Sequence, residues 1–321
     1  MKGTVQFGVA LRNFAPVSEL LNIEEVLSYA ELAEKLEFDS VWVWDHILLG
    51  TKRPFPFLES LSVLAAVAVR TRRVRLGTGV LVLPLRNPVV LAKVAATLDH
   101  LSGGRLILGL AVGWYRKEFL ACGVPYRKRG RLFLQHVKIM DRLWREEVLT
   151  GTFDGYVFEE AVMLPKPLQR PRPPLYFGGY VERVLRRVAE NADGWITYFC
   201  TAESFQRSWE KIRRYAEAAG RNPNDLSSIN QLPICVAKSF EEADRRVRDF
   251  VGRYFDIAPW SESTLESAIR GTPEQCAEQL ARHLEAGVRH IVLVPADYAT
   301  EQLEAIAGEV LPRLRSASDG H

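Results

Sequence analysis

The chain has 321 residues, of which 47% are hydrophobic and 25% are charged, and its 42 basic residues nearly balance its 39 acidic residues. This composition is typical of a globular protein and excludes long disordered stretches, collagen-like repeats and a small disulfide-rich scaffold. The formal net charge of +3 is too weak for the concentrated basic surface of a nucleic-acid-binding protein, so we expect no nucleic-acid partner.

Short runs rich in Val, Ile and Leu alternate with amphipathic stretches of helical period, and this alternation indicates repeated βα units. In chain order, the predicted strands cover residues 5–10, 40–44, 74–83, 105–111, 175–177, 194–199, 229–237 and 290–294. The predicted helices cover 23–36, 58–69, 88–101, 132–145, 181–191 and 203–219, then begin at 239 and 273, and the last ends near 315. A polar stretch without a predicted element, 259–270, precedes the helix at 273.

Eight strands, each followed by a helix, predict an α/β fold of the (β/α)8 TIM-barrel type that occupies residues 1–321 as a single domain. Residues 114–170 are too long for a βα loop, so they predict an insertion after strand four, with a helix and a hairpin around Asp154-Gly155. The first βα turn contains no G-x-G-x-x-G, which argues against a doubly wound dinucleotide-binding sheet.

The cysteines and the chain's hydropathy bear on its compartment. The four cysteines form no metal-spaced or C-x-x-C pair, which is typical of a protein in the reducing cytoplasm. The amino-terminal residues continue directly into a strand pattern without the features of a signal peptide. No stretch of about 18 uncharged apolar residues occurs, so we expect a cytoplasmic protein that does not cross a membrane.

Ligands of such barrels bind at the carboxyl ends of the strands, and this rule sorts the candidate residues. Asp45 and His46 follow strand two directly, and an imidazole can transfer a proton near neutral pH. The alternative is that His46 only hydrogen-bonds a loop. His100, His283 and His290 lie near turns at the opposite end of the barrel, where we expect structural roles.

Glycine-containing segments at three other strand ends are further candidates. Gly79-Val80 interrupts strand three, as either a bulge or a close ligand contact. Val112-Gly113-Trp114 follows strand four, where Trp114 forms one wall of a flat pocket or simply covers the barrel mouth. Gly178-Gly179-Tyr180 precedes a helix whose free amides could bind phosphate, with Arg183 and Arg186 nearby, although Gly-Gly is also a common turn. No metal-binding or serine-nucleophile motif occurs, so we expect no metal.

Several of these segments resemble one family closely. The resemblance is carried by residues 38–46 (FDSVWVWDH), by residues 75–88 (RLGTGVLVLPLRNP), by Leu101-Ser102-Gly103-Gly104-Arg105, by Gly113-Trp114 with Glu118-Phe119, and by residues 192–195 (ADGW). In this order and spacing they are similar to the luciferase-like monooxygenase superfamily of flavin and deazaflavin oxidoreductases. Within it, the chain most resembles the F420-dependent oxidoreductases of actinobacteria.

The resemblance implies that the deazaflavin ring of coenzyme F420, or the flavin of FMN, lies over the barrel mouth. It implies that Asp45 and His46 bind the cofactor and handle the substrate proton, and that Gly79-Val80 forms a non-proline cis peptide behind the ring. The remaining implied contacts with the ring, tail or phosphate are Val82, Val112, Gly113, Trp114, Gly178, Gly179 and Tyr180. The family often pairs through helices near strands two and three, so a homodimer is expected.

Two departures from the family pattern affect the expected substrate and cofactor. Trp114 stands at the position of the catalytic carboxylate of the sugar-phosphate branch, so the resemblance does not extend to that substrate class. Tyr180-Val181 replaces a serine that is common in FMN-binding relatives, which favours F420.

We therefore predict hydride transfer between F420 and a small organic substrate, with His46 as the proton donor or as the residue that orients the substrate. The second hypothesis is a monooxygenase that uses reduced FMN and oxygen. A third is a flavin or deazaflavin carrier without catalytic activity. A Schiff-base barrel is disfavoured because no lysine lies within a predicted strand.

Overall fold

The computed structural model describes residues 5–17, 19–50, 54–255 and 260–318, so residues 1–4 and Pro259 of the segments discussed above lie outside the described residues. Strands alternate with helices along most of the described chain, and the main interruption is the segment between β4 and β7. In chain order the strands are β1 Gln6–Ala10, β2 Ser40–Val43, β3 Arg75–Val82, β4 Leu106–Ala111, β5 Leu149–Phe153, β6 Tyr156–Ala161, β7 Leu175–Gly178, β8 Gly194–Tyr198, β9 Ser227–Val236, β10 Ile269–Gly271 and β11 His290–Pro295.

Eight of these strands close into a parallel barrel in the order β1, β2, β3, β4, β7, β8, β9 and β11, with β11 paired to β1. The predicted (β/α)8 barrel is therefore confirmed. On one edge β9 pairs with β11, and on the other it pairs with β8 near its start and with the short β10 near its end. All eight barrel strands are parallel, so their carboxyl ends meet at one rim.

The helices surround the barrel. They are α1 Ile23–Lys35, α2 Ser60–Arg70, α3 Pro88–Leu101, α4 Arg116–Ala121, α5 Arg129–Arg145, α6 Glu182–Asn191, α7 Ala202–Ala218, α8 Phe240–Tyr254, α9 Trp260–Ser267, α10 Pro273–Glu285, α11 Thr300–Ala305 and α12 Leu311–Ser318. Three starts follow the sequence signals. Asn87 accepts hydrogen bonds from the amides of Val89 and Val90, Ser239 accepts one from the Glu242 amide, and Thr272 forms a capping box with Gln275.

The insertion after β4 contains α4, α5 and the antiparallel hairpin of β5 and β6. The sequence analysis predicted one helix and a hairpin here and missed the short α4. Two further details differ from the sequence analysis. Helix α5 begins at Arg129 rather than at residue 132. The polar stretch before α10 contains α9 and β10, which the sequence analysis missed because these elements are short and lack a long apolar period.

The floor of the barrel is filled by Trp42, a completely buried side chain from β2. A side chain at Gly77 on β3 would put its Cβ 2.3 Å from the Trp42 ring, so glycine is required there. The Trp42 indole donates to Ser40 Oγ at 2.7 Å, and that oxygen lies 2.7 Å from His290 Nε2. Burial, reinforced by the positive charge of Arg75, lowers the pKa of His290 to about 3. His290 is therefore a neutral structural residue, as expected.

Among the helices within the described ranges, none combines the length and the apolar character that a membrane span requires.

Candidate active site

A cavity opens at the carboxyl ends of the barrel strands. Every site residue named from the sequence contributes to its wall: Asp45, His46, Gly79, Val80, Val82, Val112, Gly113, Trp114, Gly178, Gly179 and Tyr180. The structure thus brings together residues as far apart in the sequence as Asp45 and Tyr180. Their individual roles remain predictions.

The bulge on β3 forms part of the cavity floor. The register between β3 and β4 shifts between Thr78 and Leu81, and the Gly79–Val80 peptide bond is cis, as the resemblance implies. Gln231 on β9 reaches across the barrel and donates from Nε2 to the Gly79 carbonyl oxygen at 3.2 Å. This bond supports the bulge from below and leaves its upper side to the cavity.

Gly113 is required at the end of β4 for two reasons. Its φ of +75° lies in the left-handed region, and a Cβ there would come within 2.5 Å of Val82 Cγ1 and 2.8 Å of the Phe119 ring. The Gly113 carbonyl oxygen accepts a hydrogen bond from Arg129 Nε at 3.1 Å. Backbone rather than side chain therefore faces the cavity at this position.

Protein groups occupy all the hydrogen-bonding positions of the Asp45 carboxylate. It accepts hydrogen bonds from Ser60 Oγ and the Val82 amide, each at 2.8 Å, and two from the Arg86 guanidinium, also at 2.8 Å. Its side chain is only 1% exposed. These four bonds occupy its two oxygens, so we interpret Asp45 as a residue that positions the cavity wall, rather than as a direct cofactor ligand.

His46 is held by Glu118, which sequence reasoning did not select as a site residue. Glu118 Oε2 lies 3.2 Å from His46 Nδ1, and Oε1 accepts hydrogen bonds from the amides of Ile47 and Leu48 at 2.5 Å and 3.0 Å. Because Nδ1 is engaged by a carboxylate, Nε2 is the nitrogen that remains to exchange a proton in the cavity. Glu118 occurs in a segment that carries the family resemblance, but nothing in the sequence indicates that it contacts His46.

The surroundings of Glu118 favour its charged form. Burial acts to raise the pKa of this nearly inaccessible carboxyl, but the hydrogen bond and charge of His46 and the bonds from Leu48 and Ile47 outweigh it, and the pKa falls below its ordinary value. The pair is thus a carboxylate and an imidazole arranged so that the carboxylate orients the ring and balances its charge when it is protonated.

Aromatic side chains that the sequence analysis did not name complete the wall. They come from loops after several strands and from the end of α8: Phe14, Trp44, Phe55, Phe57, Tyr198, Tyr254 and Phe255. Phe14 and Phe57 stack with ring centroids 5.0 Å apart, and the His46 ring lies edge-on to Phe57 at 5.5 Å and to Trp114 at 5.8 Å. The loops that carry most of them have no periodic pattern, which is why the sequence analysis could not identify them.

Basic side chains cluster beside the loop Gly178-Gly179-Tyr180. Arg183 and Arg187 lie on α6, which begins directly after this loop, and the Arg187 guanidinium lies close to Gly130 at the start of α5. Burial and the neighbouring charge of Arg183 lower the pKa of Arg187. Two such neighbouring cations would favour an anionic group near the rim.

The Glu118–His46 pair predicts a pH-dependent stability difference. We expect Glu118→Gln to lower the free energy of unfolding by about 1–2 kcal/mol at pH 7, because a buried charge-assisted bond is lost. A carboxyl whose pKa is lowered by folding contributes fully above its unfolded value of about 4.3, and this contribution disappears as the pH falls through the folded value. Urea unfolding of both proteins between about pH 7 and pH 3 should therefore show the gap closing below about pH 4.

The surface substitution Glu301→Gln is the matched control and should change the free energy of unfolding by less than about 0.5 kcal/mol. A gap between Glu118→Gln and the unaltered protein that stays constant down to pH 3 would show that the charge of Glu118 is not involved.

The sequence is similar to proteins of one known family. The family model described as luciferase-like monooxygenase matches residues 5–290. An F420-dependent glucose-6-phosphate dehydrogenase of Amycolatopsis mediterranei is 26% identical, over 93% of this chain and 97% of that protein. An FMNH2-dependent dimethylsulfone monooxygenase of Pseudomonas putida is also 26% identical, over 80% of this chain and 78% of that protein.

The fold is also found among solved structures. An F420-dependent secondary alcohol dehydrogenase, solved with an F420–acetone adduct, superimposes with a TM-score of 0.81 at 21% identity and covers 98% of this chain and 100% of its own. At this identity the likeness shows the shared barrel alone. Because the family model spans most of the chain, the protein belongs to the luciferase-like monooxygenase family.

Proposed function

We propose that the protein is an F420-dependent oxidoreductase that transfers a hydride between the deazaflavin and a small organic substrate. The observation that carries this proposal is the Glu118–His46 pair, which presents imidazole Nε2 to an apolar cavity at the barrel rim. A positioned imidazole is suited to move the proton that accompanies a hydride. The similarity to proteins named as F420-dependent dehydrogenases supports the same function.

The cavity fits a planar cofactor on one side. Its wall at β3, β4 and β7 consists of small or backbone-rich residues, including Val80, Ala111, Gly113 and Gly178, and a flat ring can lie against such a surface. The phosphate and acidic tail of F420 would extend toward the rim, where Arg183 and the amino end of α6 could bind them.

The protein groups supply proton transfer and orientation. When bound, F420 accepts or donates the hydride at C5 of its deazaflavin ring. In the oxidation of an alcohol, the hydride leaves the carbinol carbon with its electron pair and His46 Nε2 accepts the hydroxyl proton; in the reduction of a carbonyl, the protonated imidazole donates that proton. Glu118 holds the ring in this orientation, and the aromatic wall excludes water.

A side-by-side titration tests the cofactor. We expect cofactor-free protein to bind F420 in the micromolar range or tighter, and to bind FMN at least about tenfold more weakly, which corresponds to about 1.4 kcal/mol. Quenching of tryptophan fluorescence measures the affinity for each cofactor. Preferential binding of FMN, together with oxygen-dependent turnover with reduced FMN, would contradict this proposal and support the flavin monooxygenase suggested by the relative from Pseudomonas putida.

The role of His46 is tested by substitution. His46→Ala should lower kcat with F420 by about 10²–10⁴-fold, because the positioned proton carrier is lost. His100→Ala is the control: His100 lies on α3 outside the cavity, where its Nε2 is 2.8 Å from the Lys166 carbonyl oxygen, and its loss should leave kcat unchanged. Tight F420 binding with no turnover, in both the unaltered protein and His46→Ala, would instead indicate a cofactor carrier.

We also propose that the protein is a homodimer. An apolar surface is formed by the outer side of α3 and the hairpin, where Val90 is 61% exposed, Val157 69% and Val162 58%. These residues line a common groove, and a second copy of the chain could cover it.

Light scattering during size-exclusion chromatography should give a dimer for the unaltered protein. Val90→Arg should shift it toward monomer, because an arginine would be desolvated in the contact, whereas Leu20→Arg, at an exposed leucine on the β1–α1 connection, should not. A monomer at micromolar concentration without any substitution would contradict the dimer.

A further inference from the structure

The two sides of the cavity differ in chemistry. The ends of β3, β4 and β7 contribute small aliphatic residues and glycines, whereas most of the remaining wall consists of rings, which include Trp114 and Tyr180 from the loops after β4 and β7. Phe14 and Phe57 stack with an interplanar angle of 11°, and Trp44 packs against Phe14 at 5.8 Å and against Phe255 at 6.0 Å. His46 adjoins this aromatic side through Phe57. A substrate that reaches His46 Nε2 must therefore lie against aromatic rings.

The charges at the cavity are already neutralised. Among the described residues that line it, Asp45 and His46 are the acidic and basic members, and no lysine or arginine is present. Asp45 is paired with Arg86, and His46 with Glu118. Among the lining residues that the structure describes, none is thus a free cation for an anionic substrate.

The cations behind the aromatic side are also engaged. Arg12 donates to the Tyr254 hydroxyl at 2.9 Å and is paired with Glu19. Arg253 is paired with Asp249 at 3.0 Å and also with Asp297. A phosphate group placed against this wall would lose its hydration and gain no unpaired positive partner, which weakens binding by orders of magnitude.

We infer that the substrate of this site is an uncharged organic molecule with an aromatic or other flat apolar body, whose carbonyl or carbinol oxygen reaches His46, and that phosphorylated sugars are excluded. This inference rests on the proposed function for the reaction but concerns a different part of the cavity. Faces of aromatic rings bind flat apolar groups well, and the buried surface supplies the affinity. We therefore do not expect this protein to act on the substrate named for the F420-dependent glucose-6-phosphate dehydrogenases.

A set of matched probes tests the inference. Acetophenone and 4-acetylbenzoate carry the same reacting ketone and differ by one charge, while glucose 6-phosphate represents the anionic sugars. Binding to the cofactor-free and the F420-loaded protein is measured by tryptophan fluorescence and ligand-observed NMR, and turnover by the absorbance of F420 at about 420 nm. We expect acetophenone to bind at least about tenfold more tightly than either anion, equivalent to about 1.4 kcal/mol.

Two variants locate the binding surface. Phe57→Leu should weaken acetophenone binding about tenfold, because a ring face is lost from the wall. Phe205→Leu is the matched control, because the buried Phe205 ring on α7 stacks on Trp195 and does not line the cavity. The affinity of this variant for acetophenone should be unchanged.

The results separate this inference from the proposed function. Selective binding of acetophenone without binding of F420 would overturn the cofactor assignment and retain the inference. A second outcome is that F420 binds, and that glucose 6-phosphate or 4-acetylbenzoate is turned over and binds as tightly as acetophenone. This outcome would overturn the inference and retain the cofactor assignment. Absence of binding by all three probes would also overturn it.

Discussion

The buried Asp45 carboxylate is the constraint on which the barrel mouth depends. It accepts a bond from the Val82 amide at the end of β3, from Ser60 at the start of α2, and two from Arg86. One side chain thereby ties the end of β2 to the next strand and the next helix. A buried carboxylate is tolerated because its oxygens are all bonded and its charge is balanced, and removing any partner would leave a desolvated charge. His46 is the next residue, so this clamp also sets where the imidazole emerges.

The insertion after β4 completes the site from the opposite direction. Helix α4 places Glu118 against His46 and the two amides that follow it, so the loop after β2 is held at both ends. Phe119, the neighbour of Glu118, also packs close to Gly113. The same short helix therefore orients the His46 ring and shapes the wall at the end of β4. The insertion thus contributes Trp114 to the cavity wall and Glu118 to the support of His46.

Most of the predicted site follows from one topological rule, since every strand in a parallel barrel ends at the same rim. Asp45, His46 and the glycine segments could be placed at that rim because they follow strand-like runs. Glu118 could not, because its contact with His46 joins residues 72 positions apart through a helix whose direction is set by packing. Only the coordinates show that the oxygens of Asp45 accept four hydrogen bonds from protein groups, and this observation is the basis for interpreting Asp45 as a positioning group.

The sequence by itself determined the βα alternation, the insertion after the fourth strand and the family, because hydrophobic periodicity and contiguous motifs are local properties of the chain. Only the tertiary structure decided which charges are paired and which rings line the cavity. Those features depend on contacts between residues far apart in the chain, such as Phe14 with Phe57 and Arg86 with Asp45. Such contacts form only when the barrel closes and the loops above it are packed together, which no local pattern encodes.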